Sequence, residues 1–139
     1  MIVLDTNVVS ETIRAIPEAQ AMEWLAGQPR ASVFTTTITR GELLYGACLL
    51  LDGRRKALLL EAIRAIFATD LAGRVLPFDN DAADAYAEIA ASRTIAGKPI
   101  SQFDAMIAAI VKSRGASLAT RNVKDFIDCG IKVIDPWRS

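Results

Sequence analysis

Asp5, Glu42, Asp104, Asn122 and Asp125 have the side-chain types and the spacing to serve one reaction in this 139-residue chain. Asp5 closes the first apolar run, in MIVLDTNVVSE. Glu42 sits in TTTITRGELLYG, Asp104 in PISQFDAMIAAIV, and Asn122 and Asp125 in LATRNVKDF. Each also has a plain structural reading. Asp5 could cap a helix. Thr39 with Glu42, and Ser101 with Asp104, both have the spacing of a capping box. Asn122 could be a cap and Asp125 a solvated first-turn acid. Two conflicts weigh against the plain reading. Glu42 shares a helical stripe with Ile38, Tyr45 and Leu49, and Asp104 shares one with Ile107, Ala108 and Val111. An inward carboxylate is costly unless it is paired or bound to a metal. The conflict occurs twice, and a third acid ends a strand, so Asp5, Glu42 and Asp104 are read together as one site.

Two carboxylates ~4 Å apart repel by roughly 4 kcal/mol at an effective dielectric near 20. Three in one crevice stay ionised only around a cation; otherwise some take up protons. No lysine adjoins any of the three in sequence, and the chain has no histidine. Cys48 and Cys129 lack a second thiol at ligand spacing. Cysteine–histidine zinc sites, Ser-His-Asp and Cys-His catalysis and any imidazole mechanism are therefore excluded. Hard oxygen donors remain, and they select Mg²⁺ or Mn²⁺. Such an ion lowers the pKa of a bound water, orients it for in-line attack and stabilises charge on a phosphate. Thr6, Asn7, Ser10 and Thr120 are candidate donors to the substrate. Arg121 leads the candidate phosphate-holding cations, ahead of Lys124 and Arg40.

These groups need elements to position them. Strands are expected at 2–4, 32–35, 74–78, 117–120 and 132–134, and helices at 18–25, 39–51, 54–71, 81–96 and 101–114. Alternating strands and helices predict a parallel sheet with helices on both faces, in one domain spanning 1–139. Ligands of such sheets sit beyond the carboxyl ends of the strands, where strand order reverses. If the first and fourth strands flank that reversal, Asp5 and the 120–122 segment face one crevice. Asp79, after the third strand, is expected only to cap the following helix.

Composition sets outer limits. Lys plus Arg equals Asp plus Glu at 16 each, which rules out a broad basic coat and leaves phosphate binding to local placement. The chain is 52% hydrophobic with mean hydropathy +0.28, high for a small soluble monomer, so an oligomer is expected. Part of that surface is sought on the helix after Gly53, where Leu58, Leu59, Leu60, Ile63, Ile66 and Phe67 cover more than one face. No apolar run approaches the ~20 residues of a membrane helix, and no basic segment precedes an apolar one at the N-terminus. A cytoplasmic protein with no membrane partner is expected, with both cysteines reduced in its core.

With these residues in view, the chain resembles the PIN-domain family over nearly its whole length. The matching segments are Asp5-Thr6-Asn7, Thr39 to Leu43, Asp104 to Ala109, and Ala119 to Asn122 with Asp125-Phe126. It is most similar to toxin ribonucleases of the VapC type, and the 74–79 and 134–137 segments are similar to the FitB-like branch. The resemblance implies a three-layer α/β fold with about five parallel strands and an acidic Mg²⁺ or Mn²⁺ site that cleaves RNA. It implies Asp5, Glu42 and Asp104 as metal-binding and catalytic acids, with Asn122 at a further catalytic position and Thr6, Asn7, Thr120 and Arg121 toward substrate. It implies a homodimer, a cognate antitoxin that inserts near the acids, higher toxin–antitoxin assembly, and promoter DNA bound only through the antitoxin. Many relatives carry a fourth acid where this chain has Asn122. Asp125 is the additional acid that could take its place. Two competitors stand beside the nuclease: a PIN-like module that binds RNA or a partner without cutting, and a phospho-acceptor domain with Asp5 as nucleophile.

Overall fold

The protein is described by a computed structural model over residues 1–138. β1 (Ile2–Leu4) is the central strand of a five-stranded sheet in which every pairing is parallel. On one side of it lie β2 (Val33–Thr36) and the edge strand β3 (Val75–Leu76). On the other lie β4 (Ser117–Ala119) and β5 (Lys132–Ile134). Strand order therefore reverses between β1 and β4, which meets the condition for Asp5 and the 120–122 segment to face one crevice. Val3 is opposite Phe34 and Leu118, and Leu4 is opposite Ala119. Two bonds carry the ladder past the strand ends: Asp5 N–H to the Ala119 carbonyl and Thr120 N–H to the Ile134 carbonyl, both 2.9 Å. Asp5 and Thr120 thus leave the sheet side by side.

Alternation along β1 sends Val3 and Leu4 to opposite faces, each into its own buried cluster. Val3 joins Ile89, Ile107, Ile110, Leu118 and Phe126. Leu4 joins Val8, Val9, Ile63, Phe67 and Leu71. The first cluster lies under α5 (Asn80–Ile95) and α6 (Gln102–Ser113), whose connection turns at Gly97, φ +74°. The second lies under α1 (Thr6–Thr12), α2 (Ala19–Ala26), α3 (Thr37–Cys48) and α4 (Arg54–Ala65). Asp79 caps α5, accepting the Ala82 N–H at 3.0 Å, as expected.

Several elements depart from the sequence expectations. α1 is absent from them: seven residues, three of them β-branched (Val8, Val9, Thr12) besides Thr6 at its start, carry little helical signal. The helix expected to run over 54–71 stops at Ala65 and gives way to a π-helical turn, Ile66–Asp70, which buries Ile66 and Phe67 together. Thr36, not Thr39, caps α3, accepting the Thr39 N–H at 3.1 Å; Thr39 lies inside the first turn, so no capping box starts at Thr39. The stripe expected to face inward is split: Ile38 packs against the first buried cluster, while Tyr45 and Leu49 are each 67% exposed. The residues α3 buries are Thr39 and Ala47. Cys48 is exposed rather than in the core; Cys129 is buried, and both are free thiols.

Candidate active site

Asp5 is both a cap and a wall. It is the N-cap of α1 in extended backbone, and its Oδ1 accepts the Thr6 N–H at 2.8 Å. Its Oδ2 accepts from the Thr120 hydroxyl at 2.7 Å and, more weakly, from Asn7 Nδ2 at 3.4 Å. The residue is nearly sealed from solvent, at 4% exposed. Burial pushes its pKa up from 3.8 to about 6. The Thr120 and Thr6 bonds hold it down in part, while the charges of Asp104 and Glu42 push it further up.

Glu42 stands half-buried at the crevice edge, where its Oε1 accepts from the Thr6 hydroxyl at 2.8 Å; that hydroxyl also lies 3.0 Å from Thr39 Oγ1. Burial raises its pKa against the Thr6 bond, and Asp104 adds to the rise. Asp104 sits in the first turn of α6, where Ser101 Oγ accepts its N–H at 3.2 Å. Burial raises the Asp104 carboxyl, Ser101 lowers it, Asp125 raises it and Arg93 lowers it. Charge from Asp104, on α6, thus reaches both Asp5 at the end of β1 and Glu42 on α3. Among the described residues, no three acidic side chains stand at joint metal-ligand spacing.

Asn122 follows β4 and opens a 3₁₀ turn, Val123–Phe126, that carries Asp125. Its N–H donates to Thr120 Oγ1 at 3.1 Å, and its side chain makes no capping bond. Of the groups proposed to meet substrate, Thr6, Asn7 and Thr120 have polar atoms engaged with the acids or with each other. Asn7 Nδ2 donates to Thr120 Oγ1 and Asn7 Oδ1 accepts the Arg121 N–H, both at 3.1 Å. Arg121 is exposed, with its guanidinium 5.0 Å over the Trp137 ring.

Two buried ionic side chains escaped the sequence reading. Glu11 of α1 accepts from Arg14 Nη1 on both carboxylate oxygens, at 3.1 Å each, and from the Glu18 N–H at 2.7 Å. These bonds hold its carboxyl below the usual range, and the charge of Arg121 contributes. Arg93 of α5 donates from Nε to the Lys98 carbonyl at 2.7 Å and from Nη1 to the Asp125 and Ile127 carbonyls at 3.0 Å. A signal for Arg93 exists in the sequence: it continues the helical stripe of Ala82 and Ile89 that α5 buries.

The donor set fits a hard cation. Every candidate ligand is a carboxylate or amide oxygen, and the Asp5 carboxyl, raised chiefly by burial, is pushed up further by the charges of Asp104 and Glu42. Thr120→Val tests how Asp5 is held. It removes the 2.7 Å bond that lowers this acid, so the Asp5 carboxyl in metal-free protein is expected to titrate still further above about 6. A carbon-detected NMR titration reads this directly, and an unmoved Asp5 midpoint would show that the hydroxyl does not hold the carboxylate.

A parallel sheet of this order, with a buried acid at the carboxyl end of its central strand and half-buried acids on two flanking helices, defines a class. The chain belongs to the PIN-domain family, whose profile matches residues 2–130. It is 37% identical over 137 residues to "VapC ribonuclease Y4jK" of Sinorhizobium fredii, covering 99% of this chain and 98% of that one. It is 38% identical to "Toxin FitB" of Neisseria gonorrhoeae, covering 99% of each. The crystal structure of FitAcB from Neisseria gonorrhoeae superposes with a TM-score of 0.92 at 37% identity, covering all of both chains.

Proposed function

We propose that this protein is the toxin of a toxin–antitoxin pair and acts as a Mg²⁺- or Mn²⁺-dependent endoribonuclease. The observation that carries this reading is the buried Asp5 carboxyl at the end of the central strand, raised to about 6 and pushed up by both Asp104 and Glu42. A relative from Shigella flexneri, "tRNA(fMet)-specific endonuclease VapC", is 29% identical over 96% of each chain, which supports RNA as the substrate class. Asp5, Glu42 and Asp104 would hold the ion, with Asn122 or Asp125 at the fourth position. When bound, the ion supplies the charge neutralisation and water activation that phosphodiester hydrolysis needs. The protein's own contribution is orientation. Thr120 and Asn7 aim Asp5, Thr6 aims Glu42, and Ser101 fixes the turn that presents Asp104.

Partners follow from the same reading. Two similar structures, FitAB bound to a DNA fragment and DNA-bound VapBC from Salmonella typhimurium, support a cognate antitoxin and an assembly that binds DNA; contact with promoter DNA through the antitoxin belongs to the same proposal. A groove of about 640 Å³ lined by Thr37, Ile38, Gly41, Glu42, Tyr45 and Phe103 could receive an antitoxin segment beside the acids. Exposed Tyr45, Leu49 and Leu58 on α3, its end and α4 support a homodimer. No helix among the described residues is long and apolar enough to cross a membrane; a cytoplasmic, single-domain toxin is the form proposed.

The test is cleavage of single-stranded RNA in Mg²⁺ by the wild type and by Asp104→Asn, with the fold followed by circular dichroism. The wild type is expected to cut and to stop in excess chelator. Asp104→Asn is expected to lose at least ~100-fold in rate with its spectrum unchanged, as when a group stabilising transition-state charge is removed. Cleavage that persists in chelator would overturn the proposal. Asn122, an amide where the family resemblance implies a fourth acid, favours one second reading: a PIN module that binds RNA without turnover under any divalent ion.

A further inference from the structure

We propose that Arg121, backed by the Trp137 ring, is a stacking platform for one unpaired nucleobase of the RNA, in a pocket beside the acidic crevice. The pocket holds about 510 Å³ and is lined by Glu18, Arg121, Asn122, Asp135, Trp137 and Arg138. It rests on the ribonuclease reading for the identity of the polymer. The platform itself rests on geometry.

The platform is rigid from below. Trp137 packs against the buried cluster of Leu4, Val8 and Ile63, and its backbone N–H donates to Asp135 Oδ1 at 2.9 Å. The Arg121 guanidinium lies 5.0 Å over that ring, an attraction between cation and ring face. The negative charge of Glu11 acts on Arg121 from α1. The Arg121 backbone is tied to the site, since its N–H bonds Asn7 Oδ1 and Asn7 bonds Thr120 and Asp5. A base laid on the outer guanidinium face would rest one residue along the chain from Thr120, which holds Asp5.

Charge balance argues for a base rather than a phosphate. Two cations, Arg121 and Arg138, share the pocket with two acids, Glu18 and Asp135, and Arg138 already pairs with Asp135 at 3.8 Å. Such a wall repels a polyanion as much as it attracts one. It does offer donors and acceptors together with a planar cation, which is what unstacked bases meet in single-stranded RNA recognition.

The chain has two tryptophans, Trp24 and Trp137, so Trp24→Phe leaves Trp137 as sole reporter. In chelator, a five-nucleotide single-stranded RNA is expected to quench its emission saturably. Arg121→Ala should raise the Kd about 5- to 100-fold, the range for losing one stacked base. Arg121→Lys keeps the charge but not the plane, and should recover the smaller part of that loss. Emission indifferent to RNA, or one Kd shared by wild type and Arg121→Ala, would overturn the platform. Cleavage in Mg²⁺ separates the two proposals. Intact cleavage with KM unchanged in Arg121→Ala sinks the platform alone. Absent cleavage with Trp137 still quenched through Arg121 sinks the nuclease alone.

Discussion

Asp5→Asn is expected to abolish Mg²⁺-stimulated RNA cleavage and, in metal-free buffer at pH 7, to make the protein more stable than the wild type. The two effects share one cause. Asp5 has a folded-state pKa of about 6 against 3.8 when unperturbed. Between about pH 4 and 6 the folded protein therefore holds a proton that the unfolded chain has released. Stability falls as pH rises across that window and stays lower above it. One pKa unit is worth about 1.4 kcal/mol, so the buried charge costs at most about 3 kcal/mol at neutral pH. Asparagine removes that cost and still caps α1 as well as aspartate does. A rise in Tm on the order of 5–10 °C over the metal-free wild type is expected. Added Mg²⁺ should close the gap and then reverse it. An ion stabilises the wild type by about 2.7 kcal/mol at 100 times its Kd and about 4.1 kcal/mol at 1,000 times, whereas Asp5→Asn would lack one of the proposed ligands. Thermal melts of both proteins at pH 5 and pH 7, with and without Mg²⁺, give the full set. Coincident melts in chelator at pH 7 would mean that Asp5 carries no buried charge there.

The second large effect is structural. Arg93→Ala is expected to lower stability by about 3 kcal/mol, read as a lower urea midpoint with an unchanged slope. Arg93 is 8% exposed and bonds three carbonyls, those of Lys98, Asp125 and Ile127, besides contacting Cys129 Sγ at 3.5 Å. Truncation leaves those acceptors without this donor. Arg93→Lys should recover only part of the loss, since one ammonium cannot reproduce a planar fork. The clamp joins the turn before α6 to the segment after β4, so it also spaces Asp104 from Asp125. A loss below ~1 kcal/mol in Arg93→Ala would show water replacing the side chain.

The parallel sheet of about five strands and the buried stripe of α6 were legible in the sequence; the meeting of Asp5 with the 120–122 segment was legible only on the condition that β1 and β4 are neighbours, which the sheet order meets. Each rests on strong local signal: short apolar runs, a strand-ending acid, and Ile107, Ala108 and Val111 at helical spacing. The start of α3 was not, because TTTIT offers several threonines of equal capping propensity and only the backbone angle at Thr36 selects one. The Glu42 stripe misled for a related reason. Tyr45 and Leu49 are apolar but exposed, Tyr45 on the wall of a groove, and periodicity cannot tell a core from an exposed apolar face. Arg93 was missed because the carbonyls it bonds lie outside its own helix and carry no residue code, and Glu11 because α1, the helix that buries it, was itself not expected. The phospho-acceptor alternative finds Asp5 with both oxygens hydrogen-bonded and only 4% exposed, a poor attacking nucleophile.

The contrast between the two thiols has a practical side. Cys129 is buried beneath the Arg93 clamp, while Cys48 is exposed at the end of α3, the helix that carries Glu42. A maleimide dye or spin label would therefore couple at one natural position without any engineered cysteine. That reporter would ride on one wall of the crevice, where it could follow ions, RNA or protein partners as they arrive.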